Sequence, residues 1–218
     1  MNTDKKLSPK GVLVKNDWEI IGIDHFAILV KSLDAWLPVY TSLMRGKVFS
    51  TIRDANPNGA SSMNLCGITM GGGRVSVALV EGIDRTEKSQ VTKFVEQHGD
   101  HAVQHVAIAV RNIEALVAHM RANGVHFLGE ILAREDAFGP LKQIFTKRFD
   151  AKLGPAEGPF FEFVERPQQS GAAKAADSFD AGFAQQLYKD VEEAQTEGDK
   201  ETFFAFDTLP HIPAQEKQ

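Results

Sequence analysis

Cysteine is almost missing from this chain of 218 residues: there is one, Cys66. No disulfide can form within the chain, which fits a reducing compartment. A surplus of basic residues is missing too. Lysine and arginine number 24 against 29 aspartates and glutamates, a net charge of −5. No basic stripe stands out, which argues against a nucleic-acid partner. No apolar run approaches the roughly 20 residues that span a bilayer, so no membrane partner is expected. The first residues, Met1 to Lys10, are polar and hold no apolar core for a signal peptide. Together these absences lead to an expected cytoplasmic setting. The length suits one large domain or two small fused modules, and the 43% hydrophobic content is ordinary for a globular protein.

What is there is a repeat. Residues Ile23 to Trp36 align without a gap on Val103 to Leu116, eighty positions later, with five identities and most other positions keeping their chemical type. His25 and His105 fall at the same place in the two copies. Self-similarity of this kind marks two copies of one supersecondary unit, and pseudo-symmetry can bring two such histidines face to face.

Each copy reads as strand, helix, strand, strand, strand. In the first, 22–30 is a strand of apolar and β-branched residues, followed by Ser32 as an N-cap. Leu33, Trp36, Leu37, Tyr40 and Met44 recur at helical spacing up to Gly46, with Pro38 expected to kink the helix. Val48–Asp54, Ser61–Met70 and Val75–Val80 follow as strands, with turns at 56–59 and 71–73. Gly71-Gly72-Gly73 leads into a strand rather than a helix, so it reads as a hairpin turn and not a phosphate cradle. In the second copy, 102–110 is a strand and Asn112 caps a helix that Gly124 closes. Two short strands are expected at His126–Leu128 and Leu132–Arg134, then Leu141–Arg148 and Pro159–Glu165. Lys88–His98 has helical spacing between the copies, and Phe179–Ala194 does so after them. The expected organisation is a first βαβββ module at 20–83, a linker helix at 84–100, a second βαβββ module at 101–168 and a C-terminal helix and tail at 176–218. The fold class is α+β: two paired βαβββ modules forming a curved open sheet around a metal site. The tail with Phe203, Phe204 and Phe206 is apolar without a clean period, and packing on the body, covering a pocket and contacting another subunit of a homo-oligomer all fit it.

Three residues could carry chemistry. Alternation along a strand puts His25 on one face with Ile23, Ala27 and Leu29, and His105 with Val103, Ala107 and Ala109. The alanines leave room beside each ring. Either histidine alone reads as a hydrogen-bonded core residue; their recurrence argues for more. The third is Glu162, a carboxylate in the aromatic strand Pro159-Phe160-Phe161-Glu162-Phe163. A buried, unpaired carboxylate is penalised by several kcal/mol, so it calls for a cation or a proton. Glu165, beside Arg166, reads as the solvated one of the two glutamates. Two histidines and one carboxylate on neighbouring strands make a facial metal site with open positions. Such a set suits non-haem Fe(II) with oxygen as co-substrate, whereas a structural zinc site more often uses thiolates. Mn²⁺, Co²⁺, Mg²⁺ and Zn²⁺ are the alternative ions. The other histidines, His98, His101, His119, His126 and His211, read as surface residues or as residues that support the site from outside.

The pairing of strand-helix-three-strand units with strand-borne ligands resembles the vicinal oxygen chelate superfamily. Within it, the chain resembles the catalytic C-terminal half of the 4-hydroxyphenylpyruvate dioxygenase family. The matching segments are Ile23-Asp24-His25, Lys88-Ser89-Gln90-Val91, Val103-Gln104-His105-Val106-Ala107, Gly124-Val125-His126-Phe127-Leu128, Leu141-Lys142-Gln143-Ile144-Phe145-Thr146-Lys147 and Phe160-Phe161-Glu162, in order and with similar spacing. The resemblance implies that His25, His105 and Glu162 hold Fe(II). It also implies pocket roles for Gln104 and Gln143 as catalytic residues, and for Phe145, Phe160 and Phe183 as substrate-binding ones. In that family a 2-oxo acid chelates the metal, is decarboxylated with oxygen and is hydroxylated elsewhere in the same molecule. Two departures matter. Where the family has a substrate-contacting asparagine in Asn-Glu-Pro, this chain has Val80-Glu81-Gly82, and Gly182-Phe183 lacks the asparagine of a Gly-Asn-Phe step. Val80 cannot orient a polar group as an amide does, so the expected small-molecule substrate is a less polar 2-oxo acid or a different chelating ligand. A metal-dependent lyase, dehydratase or isomerase on the same fold, and a non-catalytic small-ligand binder, stand as the other readings.

Overall fold

The computed structural model of the chain describes residues 17–136, 139–149, 158–166, 179, 181–196 and 202–203. Eight strands form one sheet in the order β2-β3-β4-β1-β5-β8-β7-β6. They are β1 (Glu19–Val30), β2 (Lys47–Ile52), β3 (Ser61–Met70), β4 (Val75–Asp84), β5 (Ala102–Arg111), β6 (Phe127–Asp136), β7 (Gly139–Thr146) and β8 (Phe160–Glu165). The order is a palindrome about its centre: β1 pairs antiparallel with β5, and each of these pairs parallel with the last strand of its own copy, β4 or β8. The repeat in the sequence is thus a repeat in space, and the fold is the expected curved α+β sheet.

Helices α1 (Leu33–Pro38), α2 (Gln90–His98), α3 (Ile113–Ala122) and α4 (Ala181–Thr196) complete the described elements. α1 starts where Ser32 accepts the Ala35 N–H, and α3 where Asn112 does the same for Ala115. Pro38 has no N–H to donate to the preceding turn, and after it the chain continues as a π-helical turn, Val39–Leu43. One core lies between α1 and the sheet, around Val30, Tyr40, Cys66, Ile68 and Leu79. A matching one lies between α3 and the second copy, around Val110, Leu116, Ile144 and Phe163. A third, with Phe94 of α2 and Tyr188 of α4, covers the other face of the first copy.

Two expectations change. The short strands at His126–Leu128 and Leu132–Arg134 are one strand, β6, whose pairing with β7 jumps between Leu128 and Leu132. Gly129 lies in that gap at φ +75°, a conformation other residues adopt only under strain. Glu165 is not simply solvated: its carboxylate accepts the N–H groups of Asn112 and Ile113 at 2.9 and 3.0 Å, at the positive end of α3. Phe203 packs on the body against Phe149 and Phe161. Phe204, Phe206 and His211 lie outside the described residues. Among the described residues, no helix is long and apolar enough to cross a membrane.

Candidate metal centre

The seam between the two copies builds the site. In the β1·β5 ladder, Ile23 faces Ile108 and His25 faces Ala107, so Asp24 is an extra, unpaired residue. Further along, Ala27 faces His105 and Ile28 faces Val103, so Gln104 is extra in the same way. These are two β-bulges, one in each copy, each just before the histidine. A bulge interrupts alternation and turns neighbouring side chains toward one face. It corrects the expected grouping of residues. Ile23 and Val103 point outward, 51% and 45% exposed, whereas His25, His105, Ala27 and Ala107 are buried on the inner side.

Glu162 comes to the same place from β8, where it pairs with Ala107. One oxygen of its carboxylate lies 3.4 Å from His25 Nε2 and 3.3 Å from His105 Nε2. Ligand atoms of all three residues fall within 4.8 Å of one another. All three are buried, His25 at 6%, His105 at 5% and Glu162 at 3% exposure. The donor set fits a divalent cation: two imidazole nitrogens and a carboxylate, out of water, with no thiolate. Burial holds the His105 imidazole below its ordinary value, Glu162 opposing and His25 adding to the effect. The neutral ring that results is the form that donates to a metal. In the first copy the residue matching Glu162 is Ala78, paired with Ala27, so symmetry supplies no fourth ligand.

The histidines are held differently. Asp24 accepts a hydrogen bond from His25 Nδ1 at 2.8 Å and two from Arg166, at 2.6 and 3.0 Å. Burial pushes this carboxyl up, but the Arg166 charge and the hydrogen bonds outweigh it and bring it down to about 2. His105 is held by rings: Phe160 stacks on it at 4.9 Å and Phe145 meets it edge-on at 6.2 Å. His105 Nδ1 has no hydrogen-bond partner among the described residues.

A cavity opens beside the three residues. Its polar border is Gln90, Gln104 and Gln143, and its apolar wall includes Met63, Leu65, Val80 and Leu141. Phe145 borders it as well, whereas Phe160 stands behind His105 and Phe145 rather than on the cavity wall. The backbone of Phe183 is in α4, and its side chain lies outside the described part. Sequence reasoning assigned no role to four residues at this site. Gln90 donates to the Tyr188 carbonyl at 3.0 Å, while its Oε1 is buried without a partner among the described residues. Asp24 was visible only as an aspartate in a buried strand. Arg166 reaches it from beyond β8. Phe179 meets His25 edge-on at 4.8 Å and lies over Gly67, where a Cβ would fall 2.8 Å from its ring. None of His98, His101, His119 and His126 joins the cluster; His101, for example, packs on Trp36 and bonds the Tyr40 hydroxyl.

Residues 22–136, just over half of the chain, match the profile of the Glyoxalase/Bleomycin resistance protein/Dioxygenase superfamily. The chain belongs to that superfamily, the group that holds the vicinal oxygen chelate enzymes. It is similar to 4-hydroxyphenylpyruvate dioxygenase of Pseudomonas aeruginosa, with 26% identity covering 79% of this chain and 52% of that one. Among solved structures it resembles an engineered 4-hydroxymandelate synthase from Streptomyces coelicolor, with a TM-score of 0.64, 24% identity, and coverage of 78% of this chain and 54% of that one. Methylmalonyl-CoA epimerase from Mycobacterium tuberculosis shares the fold at a TM-score of 0.50 and 22% identity, covering 69% of this chain and 90% of that one. The chain spans about half the length of the dioxygenase and the synthase.

Proposed function

We propose that the chain is a non-haem Fe(II)-dependent dioxygenase that acts on a 2-oxo acid with a largely apolar body. The observation that carries this reading is the buried cluster of His25, His105 and Glu162 at the edge of a cavity bordered by glutamine side chains on one side and aliphatic ones on the other. Bound Fe(II) would supply the redox chemistry by which oxygen decarboxylates a 2-oxo acid. The protein's own part is to bind, orient and keep out water. Gln104 and Gln143 offer both donors and acceptors to the polar end of the substrate. Leu65, Val80 and Leu141 seat a body that lacks polar groups. α4 covers the cavity with Ala184, Leu187, Tyr188 and Val191 and so limits access of water.

The likeness in fold to methylmalonyl-CoA epimerase favours a second reading, a metal-dependent lyase, dehydratase or isomerase. Metal analysis of the purified protein, joined to an oxygen-uptake screen over 2-oxo acids, separates the two. Oxygen consumed in step with carbon dioxide released supports the dioxygenase. Turnover that continues without oxygen moves the assignment to the second class. Bound metal with no product from any substrate class leaves a ligand-binding protein.

A further inference from the structure

Asp24 and Gln104 hold the same place in the two copies: each precedes a histidine and each is the unpaired residue of a bulge on the β1·β5 seam. Their side chains have parted company. Gln104 borders the cavity, and the Nδ1 of its neighbour His105 is without a partner among the described residues. Asp24 turns instead to its own histidine, 2.8 Å away, and to Arg166 at 2.6 and 3.0 Å. An ionised carboxylate only accepts and a guanidinium only donates. His25 must therefore be the donor, with a proton on Nδ1; the neutral ring then keeps its lone pair on Nε2, the atom that faces Glu162 at 3.4 Å. A carboxylate behind a metal-ligating histidine also makes the ring a stronger base.

We propose that Asp24, clamped by Arg166, is a positioning residue that presets His25 as an Nε2 donor for a divalent ion, while the equivalent position in the second copy, Gln104, serves the ligand. This rests on reading His25, His105 and Glu162 as the metal centre. It makes the two histidines unequal: His25 is fixed through its Nδ1 before any ion arrives, whereas the His105 ring is held by packing against Phe160 and Phe145 and by Glu162 at the ligand side. A purely structural ion pair joining β1 to the end of β8 would alter stability without setting the tautomer.

Nitrogen NMR of the metal-free protein at mildly alkaline pH tests the first half. The expected result is a protonated, pyrrole-type Nδ1 and a pyridine-type Nε2 on His25; the opposite assignment overturns the proposal. Co²⁺ titration tests the second half. Asp24→Asn should bind Co²⁺ about 10- to 100-fold more weakly, because either orientation of the amide sets an N–H against a donor from His25 or Arg166. Gln104→Leu should bind it within about twofold of the unsubstituted protein. Equal affinity in Asp24→Asn overturns the proposal. If Asp24→Asn does not fold, Arg166→Gln takes its place, with a smaller loss of affinity expected and an unchanged affinity counting against the clamp. Should the unsubstituted protein bind no Co²⁺, the metal-centre reading fails on its own, and the tautomer still decides whether Asp24 sets the ring.

Discussion

At the scale of single residues, the site is decided by what surrounds each donor. Glu162 is 3% exposed between two imidazoles, and a carboxylate so placed is costly unless a cation or proton shares its charge. His105→Ala should therefore lose most bound metal and all activity, since two ligands hold a divalent ion poorly. Metal content equal to that of the unsubstituted protein would refute the assignment. Val80 makes a second, milder prediction. It borders the cavity and is 5% exposed, with no group to meet a polar substituent. Val80→Asn should raise kcat/KM for a hydroxylated aromatic 2-oxo acid relative to an aliphatic one. An unchanged ratio of the two would count against Val80 as a determinant of substrate choice.

At the scale of elements, the repeat was readable because its strands carry their own signals: apolar runs, capping Ser32 and Asn112, and glycine turns. The three-residue cluster followed from the repeat together with one carboxylate in an aromatic strand. Local pattern did not reveal the bulges. Strict alternation puts Ile23 and His25 on one face, and only the ladder between β1 and β5 shows the extra residue that separates them. Nor could it bring in Phe179 or Arg166, which reach the site from distant parts of the chain, or foresee that Gly129 lets β6 run on as one bent strand. Tertiary contact decides such features, and a window of sequence does not contain it. The seating of α4 is of this kind. The Tyr188 hydroxyl meets Ser61 Oγ at 2.6 Å and Ser89 Oγ at 3.2 Å, fastening the helix to β3 and to the start of α2. Removing that hydroxyl in Tyr188→Phe should cost about 1–3 kcal/mol. A lower denaturant midpoint checks it, and an unchanged midpoint would mean that the hydroxyl does not help to seat the helix.

At the scale of the whole molecule, the buried ionisable groups make folding depend on pH. An unfolded histidine takes up a proton near 6.5, while His105 in the fold resists it. Below that pH the unfolded chain binds more protons than the folded one, so stability falls until the lowered folded value is passed. Asp24 works on the acid side. Its carboxyl titrates near 3.8 when unfolded and at about 2 when folded. Its contribution, on the order of 2 kcal/mol, is complete above 3.8 and lost as pH falls through the folded value. Urea unfolding of the metal-free protein across this range should show both declines, and the lower one should be shallower in Asp24→Asn, with Asp54, Asp100 and Glu114, also held below their ordinary values, supplying the remainder. A flat profile between pH 8 and pH 5 would contradict the account of His105.

The solitary thiol gives the molecule a further property. Cys66 lies in the core beside α1 at 3% exposure, and burial pushes its ionisation up against the pull of Thr51 and Arg53. Thiolate is the form of cysteine that alkylating reagents attack, so the native chain hides its one thiol from them. Labelling with a maleimide dye then becomes a clock for opening of the first copy, with a single signal per molecule and no competing background.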